Sequence, residues 1–346
     1  MRIGIDGKPL LPPRAGVGRY LEGLLTGCAA VSHADAELEV VTPAGPRRTL
    51  PWVLWDLQRA TARGYSVFHF PFYYSPLAPR CPVTVAIHDV LVLEHPEWFS
   101  RPSLNPIRRL APRGARLAAA VVTGSRCVAD AIAERCNVPR DRVHLTGYGV
   151  DRTRFAPPSS ARRADVCRRF SLSNPYLLQL GALEPRRGVD LALAAVTSLR
   201  GHTADLELAL VGTLRAHVSA LEHPPPWVRR LGFVDDGDLP ALYAEAEAVL
   251  APSRGEGFNL PLLEALACGA VVVASDIPVH REHFTQAVEF FASGNAEALA
   301  TATLRVLEDS ARAAALRAAG PELAARFDWA DVARRHLDLW RQIGRR

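Results

Sequence analysis

The chain has 346 residues, half of them apolar, which is enough for two domains that each bury a core. Its net charge of +5 is modest, and almost all of the positive residues are Arg, so the balance does not argue for nucleic acid. No apolar run reaches a membrane span and no signal pattern precedes the first strand. The six cysteines are scattered without a C-x-x-C pair, which points to a reduced, cytoplasmic setting and away from zinc.

Arg2–Asp6 reads as a first strand, followed by a loop rich in Pro and Gly (GKPLLPPRAGVG). From Val17 the apolar spacing turns helical through Tyr20, Leu21, Leu24, Leu25 and Cys28. This places Gly16 and Gly18 near a helix N-terminus, where a bare turn and an anion site are both open readings. Leu38–Thr42, Val67–Phe70, Val83–His88, Ala119–Thr123 and Val143–Tyr148 follow as short strands between helical or turn-rich segments. That alternation predicts α/β architecture with a mostly parallel sheet covered on both faces. His88 then sits at a strand's C-terminal end, where open α/β sheets bind ligands.

Residues 101–117 hold five arginines and no acid, with Leu104, Ile107, Leu110 and Leu117 as a partial apolar face. Two readings stand for this segment: peripheral contact with anionic lipid, or a solvated basic surface. Pro106 and Pro112 are expected to interrupt a long helix there.

A linker rich in Pro, Ser and Arg (Ala156–Ser173) leads into a second set of strands: Tyr176–Gly181, Asp205–Gly212, Val228–Val234, Glu247–Ala251 and Val271–Ala274. The first of these runs into Glu184-Pro185-Arg186-Arg187-Gly188, and paired arginines after a strand suit bidentate binding of a diphosphate. Asp236-Gly237-Asp238 precedes a helical segment, so Asp238 is expected as its N-cap rather than as a metal ligand.

The most informative stretch is Ala248–Asp276, AVLAPSRGEGFNLPLLEALACGAVVVASD. It reads as strand, glycine-rich loop, helix and strand, with seven residues between Glu256 and Glu264. Gly255 and Gly257 allow backbone N–H groups to turn toward a ligand, and the following helix N-terminus suits a phosphate. Glu264, one turn inside that helix, can accept two hydrogen bonds from a ribose diol. Glu256 lies on the loop and is free to serve a group beyond the phosphates.

EGFNLPLLEALACGAVVVASD resembles the E-x7-E signature of the retaining, nucleotide-sugar-dependent glycosyltransferases called group 1 or family 4. The resemblance implies a GT-B fold, two Rossmann-like domains facing a central cleft: 1–160 on the acceptor side, 161–328 binding the nucleotide sugar, and 329–346 a helix crossing back. It further implies donor contacts at Gly16, Val17, Arg186, Arg187, Phe233, Val234, Gly257, Phe258, Asn259, Leu260 and Glu264. Glu256, His88 and Arg187 are the implied catalytic group. GVGRY is similar to the family's N-terminal donor loop, and IHDVLVLEHPEWF to a segment whose histidine faces the donor sugar in bacterial mannosyltransferases. Asn259 stands where glycine is commoner and is expected to tune the sugar pocket. Arg254 is expected to pair with Glu256 or to bind phosphate.

The function expected from this resemblance is transfer of a sugar, mannose from GDP-mannose, to a saccharide or lipid-linked acceptor. No cofactor, metal or nucleic acid is expected. The alternatives are a UDP-sugar-dependent transferase, a sugar-nucleotide epimerase and a non-catalytic nucleotide-sugar-binding regulator.

Overall fold

The computed structural model describes residues 1–12, 16–31, 35–43, 45, 51–99, 106–172, 175–214 and 221–345. The chain divides into two compact units. The first comprises Met1–Glu94, Ser103–Gly149 and Phe327–Arg346, and the second His95–Pro102 and Val150–Arg326. The first division therefore falls at Gly149, short of the expected 160. No described helix is long and apolar enough to cross a membrane.

In the first unit a six-stranded sheet has the order β2-β1-β3-β4-β5-β6. Its strands are β1 (Arg2–Asp6), β2 (Glu37–Val41), β3 (Val67–Phe70), β4 (Val83–Ala86), β5 (Ala120–Thr123) and β6 (Val143–Leu145), and every pairing is parallel. β3, β4 and β5 are buried at every position, as strands covered on both faces must be. The first helix, α1 (Gly16–Ala30), packs on the C-terminal helix of the chain. The basic segment forms α2 (Ile107–Leu117), which runs through Pro112 without a break, contrary to expectation. α2 buries only Ala111, Gly114 and Ala115, and a Cβ on Gly114 would come within 2.9 Å of the Tyr73 carbonyl oxygen, so the helix packs closely there. Arg108, Arg109, Arg113 and Arg116 are exposed, and 101–105 lie outside the described residues.

The second unit has the sheet order β12-β11-β10-β7-β8-β9, again wholly parallel. Its strands are β7 (Tyr176–Leu180), β8 (Glu207–Val211), β9 (Val228–Gly232), β10 (Ala248–Ala251), β11 (Val272–Ser275) and β12 (Glu289–Phe291). The helices that concern the site are α3 (Ser160–Arg169), α4 (Val189–Leu199), α5 (Leu239–Glu245), α6 (Leu260–Ala267) and α7 (Pro278–Phe284). Strand order reverses between β7 and β10, and ligands of doubly wound sheets bind in the crevice outside the strand ends at such a reversal. The last helix of the chain, α8 (Trp329–Gly344), belongs to the first unit. There Trp329 lies against α1 where Gly23 and Gly27 leave room: a Cβ on either would meet Trp329 atoms at 2.1 Å.

Asp238 precedes α5 as expected but makes no side-chain cap. Its carboxylate instead accepts hydrogen bonds from Arg162 (2.6 Å) and Arg169 (2.6 and 3.1 Å) of α3. Two charged donors are stronger partners than one backbone amide.

Candidate active site

Two loops meet at the reversal point of the second sheet. The loop after β7 carries the turn Pro185–Arg187 and then Gly188, whose φ of +66° is left-handed. A Cβ at Gly188 would lie 2.1 Å from the Pro252 carbonyl oxygen, so only glycine permits this approach of the loop after β10. Hydrogen bonds fasten the two loops together. Arg254 donates its backbone N–H to the Arg186 carbonyl (2.8 Å) and its guanidinium to the Pro185 carbonyl (2.6 Å). The same guanidinium makes a two-pronged pair with Asp190 of α4 at 2.9 and 2.6 Å. Arg254 thus pairs with Asp190 rather than with Glu256, and Asp190 holds it as a brace. From below, Gln179 on β7 donates to the Arg187 carbonyl at 2.8 Å.

Glu256 is buried, its side chain 4% exposed, between the two arginines. Arg186 Nη1 lies 3.1 Å from Oε2, Arg187 Nη1 donates to Oε1, and the Ser253 hydroxyl donates to Oε1 at 2.7 Å. Arg186 also donates to Glu184 at 2.5 Å, so two carboxylates face two guanidiniums. Burial pushes the Glu256 carboxyl up, but Arg187 and Arg186, with the Ser253 hydrogen bond, outweigh it and hold it below its ordinary value. It is therefore ionised at neutral pH. A preorganised pair of guanidiniums beside a fixed carboxylate can stabilise charge on a departing phosphate while keeping one acceptor for a neighbouring hydroxyl.

The helix α6 begins after Asn259, which takes the left-handed conformation with φ 83° and ψ 66°. Gly257 is buried, Phe258 packs its ring on His283 and Phe284 of α7 (centroids at 4.9 and 5.5 Å), and Leu260 is half-buried. Glu264 lies within α6, buried, and accepts from the Tyr243 hydroxyl at 3.4 Å. Tyr243, Asn259, Arg187, Ser253 and Gln179 line one cavity of about 10 Å³, room for about one water. A wider cavity of about 470 Å³ lies at the ends of β8 and β9, lined by Gly212, Thr213, Leu214, Arg230 and Gly232. Next to it Phe233 is 72% exposed whereas Val234 is buried.

In the first unit, Gly16 and Val17 are the first two residues of α1, exposed and half-buried respectively. His88 follows β4 with both ring nitrogens engaged. Nε2 donates to the Pro71 carbonyl at 2.9 Å, which leaves Nδ1 to accept from the Tyr148 hydroxyl at 2.7 Å. Burial lowers its pKa and keeps the ring neutral. Asp89 accepts from the Leu91 N–H at 3.1 Å and so buttresses the loop. Beneath His88 lies a second imidazole network. His336 Nδ1 donates to the Val332 carbonyl, so its Nε2 accepts from Tyr20 at 2.9 Å, while His69 joins Thr84 at 2.9 Å and Thr84 receives Trp340 Nε1–H at 3.1 Å.

Within the second unit the structure joins Arg186, Arg187 and Glu256 by direct bonds, sets Asn259 on the cavity beside Arg187, and reaches Glu264 through Tyr243. Residues not singled out from sequence are Ser253, Gln179, Asp190, Tyr243 and His280. Only Ser253 carried a local signal, three residues before Glu256.

Two family models match the chain: "Glycosyl transferases group 1" over residues 168–323 and "Glycosyltransferase Family 4" over 15–154. An O-antigen chain mannosyltransferase B of Escherichia coli is 27% identical over 314 residues, covering 86% of this chain and 78% of the relative. A D-inositol 3-phosphate glycosyltransferase of Salinispora tropica is 30% identical over 246 residues, covering 64% of this chain and half of its own length. Among solved structures, Anabaena HepE in complex with UDP-glucose superposes with a TM-score of 0.78 at 19% identity, over 99% of this chain and 100% of the other.

Proposed function

Because the chain belongs to the group 1 glycosyltransferases of family 4, with two Rossmann-like sheets of GT-B type, we propose that it transfers mannose from GDP-mannose, with retention, to a saccharide or lipid-linked acceptor. The observation that carries the proposal is the ionised, buried Glu256 held between Arg186 and Arg187 at the reversal point of the second sheet. In this reading the arginines receive the diphosphate and stabilise it as it leaves. Gly257, Phe258, Asn259 and Leu260 present backbone amides at the start of α6, where the helix dipole also favours anionic oxygen. Glu264 accepts from the ribose diol, and Glu256 from the transferred sugar. Val234 and the cavity beside it suit the base, with Phe233 at its rim. Gly16 and Val17, at the N-terminus of α1, suit an anionic oxygen of the donor. For His88 to hold a sugar hydroxyl, either its Pro71 or its Tyr148 bond must open. No step calls on a metal or a cofactor.

The choice of mannose leans on the similarity to the E. coli mannosyltransferase. A UDP-sugar donor is the second reading, favoured by the likeness to HepE, whose structure holds UDP-glucose. The exposed arginines of α2, with no acid among them, suit a peripheral anionic surface on which a lipid-linked acceptor would lie. The deciding experiment is competition between GDP and UDP for the purified protein, followed by turnover of GDP-mannose. GDP should bind at least several-fold tighter; tighter binding of UDP moves the donor to a UDP-sugar.

A further inference from the structure

Residue 259 stands in a backbone conformation that glycine adopts freely and asparagine only with local support. Its amide turns toward α7, where Nδ2 lies 3.0 Å from His280 Nε2. His280 is fully buried, and its Nδ1 lies 2.9 Å from the Ser275 carbonyl oxygen at the end of β11. A carbonyl can only accept, so Nδ1 carries the proton and Nε2 is left as the acceptor. The Asn259 amide is thereby oriented: its nitrogen donates to the imidazole. The same strand end anchors the other side of the loop. Ser275 Oγ donates to the Ser253 carbonyl at 2.6 Å, and Ser253 Oγ donates to Glu256.

We propose that His280 is a positioning residue for the donor loop: by accepting one hydrogen bond from Asn259 it holds residue 259 left-handed and so aims the Gly257–Leu260 amides and the start of α6. The inference rests on the reading of this loop as the diphosphate site. Without the acceptor, a buried amide N–H would be left unpaired, and residue 259 would lose the support that holds its φ positive. Rotation there turns the peptide into Leu260, the first of α6. Burial keeps the imidazole neutral. Of the charged groups that face it, Glu256 favours the protonated form and Arg187 opposes it, while the Phe284 ring packs 6.2 Å away. Protonation would convert Nε2 from acceptor to donor and oppose the Asn259 contact.

The test separates the acceptor from the bulk of the ring. His280→Gln offers an oxygen near the Nε2 position, whereas His280→Asn keeps a donor near Nδ1 and cannot reach Asn259. GDP and UDP binding to each full-length variant is measured by calorimetry, with donor KM and kcat determined in parallel. His280→Gln should stay within about threefold of wild type. His280→Asn should bind at least tenfold more weakly, with the loss in donor KM rather than kcat. Adding Asn259→Gly to His280→Asn should restore most of the binding, because glycine needs no partner to keep φ positive. Equal losses in His280→Gln and His280→Asn, or a double variant no better than His280→Asn, overturn the proposal. If His280→Asn does not fold, the pH profile decides. Wild-type affinity should fall as pH drops below the usual histidine range while that of Asn259→Gly does not, and parallel profiles overturn the proposal. A wild type that binds neither nucleotide refutes the donor-site reading instead.

Discussion

Glu256→Gln preserves shape and removes one charge from the centre of the site. Arg186 Nη1 stands 3.1 Å from the carboxylate, and two unit charges at that distance attract by about 5 kcal/mol at an effective dielectric near 20. Much of this is offset. The lost carboxylate was itself the most buried member of the group, the guanidiniums are 15% exposed, and Glu184 still faces Arg186. The net loss of stability should be about 1.5–3 kcal/mol, the value of a hydrogen bond to a charged group. Binding of a nucleoside diphosphate should move the other way. In wild type the phosphates share the arginines with Glu256, and in the variant they do not, so affinity should hold or rise by up to about tenfold, equivalent to about 1.4 kcal/mol. Turnover should fall by about a hundredfold or more, since a fixed charge at the transferred sugar is lost. Calorimetric titration with GDP, single-turnover transfer and thermal unfolding measure the three quantities. Arg187→Ala is the comparator and should weaken GDP by about tenfold or more. If Glu256→Gln weakens GDP as much as Arg187→Ala does, the carboxylate binds nucleotide and the assignment above is wrong.

Glu264→Gln should raise the Kd for free nucleotide with little change in kcat; equal effects on both would remove the ribose assignment. Gly188→Ala places a methyl group against the Pro252 carbonyl and should both abolish nucleotide binding and lower Tm, so normal binding would disprove the loop contact. Acid should destabilise the first unit. Burial pushes His336 down to about 4, so its stabilising effect is complete above the unfolded value near 6.5 and is lost as pH falls toward 4. At about 1.4 kcal/mol per pH unit this reaches about 3 kcal/mol by pH 4. Burial also lowers His69, which adds in the same direction. Urea unfolding followed by tryptophan fluorescence should show that slope, and His336→Gln should flatten it.

Apolar runs such as Val67–Phe70 and Tyr176–Leu180 were legible because a strand covered on both faces leaves a continuous hydrophobic signature. β12 was missed: it is a three-residue edge strand that begins with Glu289, a residue paired to Arg305 and Arg312. The expected strand Val143–Tyr148 overshoots β6, which stops at Leu145, because Gly147 at φ +79° ends the extended backbone. In the site, the glutamates and arginines could be named from the resemblance to the family's E-x7-E signature and its basic pair after E-P, but their mutual ion pairing could not. Arg254 shows why: its nearest acid in sequence is two residues away, yet the fold gives it to Asp190, sixty-four residues distant.

After a short excursion over His95–Pro102, the chain leaves the first unit again at Gly149 and re-enters it at Phe327. During synthesis, all of Val150–Arg326 must therefore be made before α8 exists. At about 5–20 residues per second the interval is on the order of 10–35 s. Through that interval the α1 glycines, Tyr20, His69 and Thr84 wait without Trp329, His336 and Trp340. Apart from His95–Pro102, which is made earlier still, the second unit is continuous from Val150 and can complete itself first. The half of the protein that emerges from the ribosome earliest is thus the half that matures last, and it depends on the final twenty residues to do so.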